Sequence, residues 1–203
     1  MKIVEPSFEL LASTPDLELV IERAGRICYK SEGRKTESSY VNFIKRLKDS
    51  KHESVLEHGS ISVIITCNRR VSHQLVRHRI ASYSQESTTY CNYGMDKFDN
   101  EITVIKPGFF PEHSVSYGVW MAACAQAERS YFDLLAAGAS PGEASDVLPT
   151  ALKTEIVATM NPRQWLHVFG ERCEKPAHPA MREVMRPIRD AFAALWPSIF
   201  GEI

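Results

Sequence analysis

The stretch QLVRHRIASYSQESTTYCNY, residues 74–93, places two arginines around a histidine and follows them with hydroxyl and amide side chains. Guanidinium groups bind phosphate and carboxylate through two parallel hydrogen bonds and stay charged at any working pH. Hydroxyls and amides suit the polar edges of a base or a sugar. The pattern therefore predicts a binding site where a helix ends and a polar loop begins. The alternative is a basic helix end followed by a solvated loop.

Composition is that of an ordinary globular protein, with 44% hydrophobic and 24% charged residues and a net charge of −1. This balance argues against bulk nucleic-acid binding, which usually needs a strongly basic face. No apolar run approaches the roughly 20 residues needed to cross a bilayer, and the N-terminus lacks a hydrophobic signal region. The five cysteines are scattered and odd in number, which indicates reduced thiols and a cytoplasmic protein.

Hydrophobic periodicity predicts an α+β fold with a small central sheet flanked by several helices, in one domain over residues 1–203. We expect strands over residues 2–5, 60–66, 101–106 and 152–159. Expected helices cover residues 14–28, 41–51, 69–78 and 115–137, with further helices opened by Ser140, by Asn161-Pro162 and by Pro179. Thr14 is the predicted cap of the first helix, and Leu195 is predicted to lie on the buried face of the last.

Two histidines, His52 and His58, lie with two glutamates in a seven-residue segment that suggests a metal site. Their separation of six residues places them on different helix faces and fits no usual ligand spacing, so no metal is predicted. The alternative interpretation is a polar connection between a helix and a strand.

The spacing of Arg77-His78-Arg79, seven residues and then Ser87 resembles the signature of the flavin-dependent thymidylate synthases. The resemblance extends over roughly residues 20 to 190. It includes the segment 52–58, Val147-Leu148-Pro149, the segment 161–167 and Arg172, in the order and at the spacing of that family.

That resemblance implies the fold and homotetramer of the family, with FAD held between subunits. It also implies transfer of a one-carbon unit from methylenetetrahydrofolate to C5 of dUMP, with NADPH as the reductant. The resemblance further implies that no protein nucleophile attacks the pyrimidine, which fits the sequence, since no cysteine inside the signature has a base beside it. Ser87 is therefore interpreted as a contact to the nucleotide. No partner is expected other than the nucleotide and further copies of the chain, with no nucleic acid and no membrane.

The family pattern also assigns individual residues. The implied flavin contacts are Ser54, Arg77, His78, Arg79, Gln85, Asn161, Arg163 and His167. The implied nucleotide contacts are Gln74, Arg77, Gln85, Glu86, Ser87, Thr88, Thr89, Ser145 and Arg172. Arg172 is the implied catalytic residue, whose fixed cation favours the ionised N3 of the uracil. Two alternatives stay open: His167 serving only helix packing, and Arg172 forming a surface ion pair with Glu171 or Glu174.

Two arginines of the family pattern are replaced here, by Thr89 and by Ser145. Hydrogen bonds to charged groups contribute roughly 1.5–3 kcal/mol each, so an uncompensated loss of both would weaken nucleotide binding by about two orders of magnitude. We therefore hypothesise that the nucleotide is UMP, or both UMP and dUMP. Such a chain resembles a UMP/dUMP C5-methylase of nucleoside-antibiotic biosynthesis, such as the polyoxin-pathway enzyme. The alternatives are a strict dUMP enzyme, in which another cation such as Lys153 restores phosphate binding, and a flavin- or nucleotide-binding protein without turnover.

Overall fold

The structure, a computed structural model, describes residues 1–201 as a mixture of short strands and helices. The strands are β1 Lys2–Val4, β2 Ser7–Ser13, β3 Ile61–Asn68, β4 Ser82–Gln85, β5 Thr103–Ile105 and β6 Lys153–Met160. The helices are α1 Leu17–Tyr29, α2 Ser39–Asp49, α3 Arg69–Leu75, α4 Val115–Ala136, α5 Pro141–Ala144, α6 Pro162–Arg172, α7 Pro179–Leu195 and α8 Pro197–Phe200. Small sheets with several helices confirm the mixed class predicted from the sequence. Within residues 1–201, no helix combines the length and apolar character needed to cross a membrane.

The strands form two sheets where the sequence predicted one. The first pairs β1 with β5 in parallel, with Ile3 opposite Val104. The second has the order β2-β3-β6-β4, and its strand β3 alternates strictly between buried and half-buried residues. This alternation is the pattern of a strand with one face on the core.

Contacts divide the chain into two compact units, each described here by itself. The first unit contains residues 1–7, 65–77 and 84–156, and the second contains residues 8–64, 78–83 and those from 157 onward. Strands β3, β4 and β6 contribute residues to both units. The single domain over residues 1–203 stays a prediction.

In the first unit, helix α4 supplies an aromatic to the core. Tyr131 is fully buried and makes edge-on contacts with Tyr93 and Phe132. Its hydroxyl accepts a hydrogen bond from the backbone N–H of Tyr93 at 3.2 Å, which fixes the chain just after the signature. The predicted capping box is present: Ser140 and Glu143 exchange hydrogen bonds at the start of α5.

In the second unit, an aromatic cluster joins the C-terminal helices. Trp165, Phe169, Phe192 and Phe200 are each at most 2% exposed and contact one another through their rings. The indole N–H of Trp165 also donates to the carbonyl of Ile61 at 3.1 Å. This bond holds α6, which carries several predicted site residues, against β3.

Several boundaries differ from the sequence prediction for physical reasons. Thr14 does not cap α1, because its hydroxyl and its backbone N–H are bonded to Ser60, and α1 begins after Asp16. Helix α3 ends at Leu75 and not at His78. Leu195 is 52% exposed and does not belong to the buried face of α7.

Three elements were absent from the sequence prediction. Strands β2 and β4 are largely exposed or half-buried, so their hydrophobic pattern is weak. The short helix α8 follows Trp196 and brings Ile199 and Phe200 into the core. The segment Glu53–Glu57, expected as a polar connection, forms a 3₁₀ turn.

Candidate functional site

The residues predicted from the signature divide between the two units. The first unit holds Gln74, Arg77, Gln85, Glu86, Ser87, Thr88, Thr89 and Ser145. The second holds Ser54, His78, Arg79, Asn161, Arg163, His167 and Arg172. Most implied nucleotide contacts therefore lie in the first unit, and most implied flavin contacts lie in the second.

In the first unit, Gln85 is fixed at the end of β4 by two hydroxyl groups. Its amide nitrogen donates to Ser72 Oγ at 2.9 Å and to Thr154 Oγ1 at 3.1 Å. Both partners are fully buried, so the orientation of the amide is determined by the core. This leaves the amide oxygen of Gln85 to accept from a ligand.

The carboxylate of Glu86 is held on both sides. One oxygen accepts from the Tyr93 hydroxyl at 3.3 Å, and the other lies 3.4 Å from the ammonium of Lys153. Burial lowers the pKa of Lys153, but its hydrogen bond to Glu155 and the charge of Glu86 outweigh burial, so the net shift is upward. Burial and the charge of Glu86 raise the pKa of Tyr93. Both groups thus keep their protons and can donate to the side chain of Glu86.

Thr89 and Ser145, the two positions that lack the family arginines, converge on one glycine. A methyl group added at Gly142 would lie 3.5 Å from Thr89 Cγ2, and the Ser145 hydroxyl donates to the Gly142 carbonyl at 2.7 Å. Ser87 closes the turn before Thr89, because its Oγ accepts from the Thr89 N–H at 3.3 Å. The structure therefore brings Ser87, Thr89 and Ser145 into one hydroxyl-rich corner.

In the second unit, His78 and Arg172 form a direct hydrogen bond. Arg172 Nε donates to His78 Nε2 at 2.9 Å, so this ring nitrogen carries no proton and His78 is neutral with its proton on Nδ1. His78 is 6% exposed, and the edge of the His167 ring meets it at a centroid distance of 5.5 Å. Burial, followed by the charges of Arg172 and His167, lowers the pKa of His78 to about 4.

This contact argues against one interpretation of Arg172, the surface ion pair. Among the described residues, neither Glu171 nor Glu174 forms an ion pair with Arg172, and its Nε donates to His78. The guanidinium is therefore oriented by a neutral acceptor and retains its full positive charge.

Three implied flavin residues, Asn161, Arg163 and His167, line one cavity of about 630 Å³. Asn161 caps α6 through Oδ1, which accepts from the Gln164 N–H at 2.8 Å. Arg163 is held by Glu57 at 2.6 Å and by Glu53 at 3.4 Å, so its charge is compensated. The size falls in the usual range for cofactor sites. Two carboxylates and one guanidinium leave the charged groups of this lining at a net −1, and its amide and imidazole groups suit the hydroxyls and amide edges of a large cofactor.

Ser54, Arg77 and Arg79 are exposed, and Gln74 is half-buried. None of these four is among the described residues that line the cavity. The N–H of Arg77 bonds to the carbonyl of Gln74 at 3.3 Å as the chain leaves α3.

The residues that orient the implied nucleotide contacts and flavin contacts were not predicted from the sequence. Ser72 and Thr154 orient Gln85, Tyr93 holds Glu86, and Glu53 and Glu57 hold Arg163. The repeated carboxylates of the segment 52–58 were visible, but they were considered only as metal ligands. These carboxylates instead form ion pairs with a distant cation, Arg163, which the local pattern did not include.

Comparison with known proteins identifies the family of the chain. Residues 9–198 match the family described as "Thymidylate synthase complementing protein". The chain belongs to this family. A flavin-dependent thymidylate synthase of Geobacter sulfurreducens is 36% identical over 203 residues, covering 95% of this chain and 84% of that protein. One from Mycobacterium sp. (strain KMS) is 31% identical over 205 residues, covering 90% and 78%. The chain is accordingly an enzyme.

Structure comparison supports the fold at lower sequence identity. The UMP/dUMP methylase PolB from Streptomyces cacaoi, bound with 5-Br dUMP, has a TM-score of 0.83 at 23% identity, covering 99% of this chain and 96% of that chain. At this identity the likeness establishes a shared fold.

Proposed function

We propose that this family member is a flavin-dependent methyltransferase that methylates C5 of a uridine monophosphate, UMP and/or dUMP. FAD is the proposed flavin, methylenetetrahydrofolate the carbon donor and NADPH the reductant. The observation that carries the proposal is the bond from Arg172 to neutral His78, because it fixes a cation beside the arginine–histidine–arginine motif, which resembles the signature of the flavin-dependent thymidylate synthases.

The residues of the second unit are proposed to hold the flavin. Asn161, Arg163 and His167 line the cavity of about 630 Å³, and the neutralised guanidinium of Arg163 suits a sugar hydroxyl better than a bare phosphate. Ser54, Arg77, His78, Arg79 and Gln85 complete the proposed set. When bound, the flavin supplies hydride transfer and carries the one-carbon chemistry.

Arg172 is proposed to stabilise negative charge on the uracil. A cation held rigidly beside N3 favours the ionised ring and strengthens C5 as a nucleophile. Neutral His78 contributes by fixing the direction of the guanidinium without cancelling its charge. Gln74 is proposed to contact the nucleotide beside it.

The first unit supplies the other proposed nucleotide contacts. Gln85 and Glu86 are oriented by buried partners and offer acceptors, whereas Ser87, Thr88, Thr89 and Ser145 offer hydroxyls. The corner at Gly142 contains short side chains where the family pattern has arginines. We infer that these hydroxyls contact the 2′-hydroxyl of the ribose, which favours UMP or mixed specificity over dUMP alone.

A direct competition tests the reaction and the substrate together. The purified protein receives FAD, NADPH and methylenetetrahydrofolate with equal UMP and dUMP, and mass spectrometry counts both methylated products. Methyl-UMP in substantial amount is the expected result. Methyl-dUMP alone would indicate a strict thymidylate synthase, and no product despite bound flavin would indicate a binding protein without turnover.

Arginine substitution tests the specificity positions. The double change Thr89→Arg and Ser145→Arg is expected to shift the product ratio toward methyl-dUMP by about tenfold or more, because the long side chains remove the hydroxyl partners proposed for the 2′-hydroxyl of UMP. Contacts to the phosphate are common to both nucleotides and leave the ratio unchanged. The control is Thr89→Ala with Ser145→Ala, which removes the hydroxyls without adding charge. An unchanged ratio in the arginine variant would show that these positions do not determine specificity.

The homotetramer is also proposed from the family. Light scattering on the eluting protein should give about four times the mass of one chain, and a monomer would contradict it.

A further inference from the structure

The second unit contains a large cleft that is lined by none of the residues assigned to the flavin or the nucleotide. It measures about 1030 Å³ and is lined by parts of residues 26–52, from the end of α1 through α2 to His52. We refer to it as the basic cleft. Its charged lining residues are Arg26, Lys30, Arg34, Lys45, Arg46 and Asp49. Because Arg26 is paired with Glu22, four cations remain against one carboxylate among the described lining residues, so the charge of the cleft is opposite to that of the whole chain.

The positive charge is concentrated in this segment. Residues 26–52 contain eight lysines and arginines and three acidic residues, although the chain as a whole carries −1. Like charges repel, so clustering them in one concave surface costs free energy in the absence of counter-ions. Such a cleft therefore attracts anions locally, although the protein as a whole carries a small net negative charge.

A rigid floor supports the basic cleft. Arg26 is 5% exposed and donates from Nε and Nη2 to Glu22 Oε1, at 2.9 and 2.7 Å. The Ser39 hydroxyl bonds the same oxygen at 2.6 Å, and Arg26 Nη1 donates to the Ser31 carbonyl at 3.1 Å. The guanidinium also lies over the Phe43 ring at 4.8 Å. Both ends of the loop between α1 and α2 are thereby fixed.

Hydrogen-bond donors complement the cations. Ser38 is the N-cap of the 11-residue helix α2 but makes no side-chain capping bond, and it lines the cleft with Ser39. The positive end of the helix dipole thus faces the same region as the cations. On the rim, the Tyr29 hydroxyl and His52 Nδ1 are hydrogen-bonded at 3.2 Å.

We propose that the basic cleft binds a small ligand with at least two anionic groups, either phosphates or carboxylates. One charge would be met by Lys30 and Arg34 on the loop, and a second by Lys45 and Arg46 on α2. Cavities of ligand sites usually measure about 300–1,000 Å³, so the cleft is large enough for a nucleotide-sized molecule and far larger than one phosphate ion.

Isothermal titration of the full-length protein tests the cleft. Pyrophosphate and citrate are titrated separately, which distinguishes a phosphate from a carboxylate source. The test variant is Arg34→Gln with Arg46→Gln, and the matched control is Arg23→Gln with Lys175→Gln, which removes two exposed cations of the same unit outside the cleft lining. Thermal melting establishes that both variants fold.

The expected result is binding of at least one of the two anions that weakens by about tenfold or more in the test variant and stays within about twofold in the control. Binding should also weaken with added salt, since the rim is exposed. Absence of binding to both anions would overturn the proposal. Anion binding that is lost in Arg77→Gln with Arg79→Gln but kept in the test variant would also overturn the proposal, because the ligand would then bind outside the cleft. Binding of a single-stranded oligonucleotide, with no binding of either small anion, would overturn it as well.

Discussion

Acidification below pH 6.5 should destabilise the protein through His78, and His78→Gln should remove that part of the acid sensitivity. In the folded chain burial and the charges of Arg172 and His167 lower the pKa of His78 from 6.5 to about 4, whereas Glu171 acts weakly in the opposite direction. In the unfolded chain the pKa returns to its ordinary value. Between these two pKa values the unfolded chain therefore binds a proton that the folded chain does not.

The sign and size follow from proton linkage. Above pH 6.5 both states are neutral at His78, and the free energy of unfolding is unaffected. As the pH falls toward 4, the unfolded state gains stability by about 1.4 kcal/mol per pH unit, so folding loses roughly 3 kcal/mol in total. For comparison, natural domains have unfolding free energies of only about 5–15 kcal/mol. Glutamine does not titrate, and its side-chain oxygen can accept the same bond from Arg172.

Urea unfolding at several pH values between about 7 and 4.5 measures the effect. The wild-type slope of unfolding free energy against pH should exceed that of His78→Gln by about 1 kcal/mol per unit. His73→Gln, at an exposed histidine of α3, is the control and should keep the wild-type slope. Equal slopes in wild type and His78→Gln would refute the buried neutral histidine, as would a ring titration near pH 6.5 observed by NMR in the folded protein.

Three further changes have expected outcomes. Gln85→Leu removes one donor from each of two buried hydroxyls, Ser72 and Thr154, and should lower the free energy of unfolding by about 1–3 kcal/mol, measured in urea. Trp165→Ala empties the centre of the aromatic cluster and should cost about 3–5 kcal/mol in the same assay. Arg163→Gln should weaken FAD binding by about tenfold in a fluorescence titration while thermal melting of the flavin-free protein changes little, since its ion pairs are half exposed.

Elements with strong local signals were predictable from the sequence. The β-branched run of β3, the capping box at Ser140 and the Asn161 cap of α6 appear where they were expected. Strand β4 was missed because its residues are polar and alternate between exposed and half-buried, so pairing with β6 forms it and not hydrophobicity. Thr14 was misassigned because a local cap competed with a bond to Ser60, 46 residues away, and the distant bond prevailed.

The site residues show the same limit. Spacing identified Arg77, His78 and Ser87 as a set, but the partners that orient a site are set by tertiary contacts. The acceptor of Arg172 Nε is His78, 94 positions earlier, and Arg163 meets Glu57 across 106 positions. Residues so far apart in the sequence form no local pattern from which their contact could be predicted. The assigned roles of these residues stay predictions.

The charge of each arginine is available to an anion to the extent that no carboxylate is already paired with it. Arg163 is tied to two carboxylates, so a phosphate would have to displace Glu57 before binding it, and the gain would be offset by the lost ion pair. Arg77 and Arg79 are exposed and form no ion pair within residues 1–201, so an anion can bind them without displacing a carboxylate. Arg172 is intermediate in its availability to an anion, because its Nε is bonded to His78 but this neutral partner does not compensate its charge. A phosphate of the proposed flavin or nucleotide should therefore be held by the signature arginines, while Arg163 contributes shape and hydrogen bonding to the cavity.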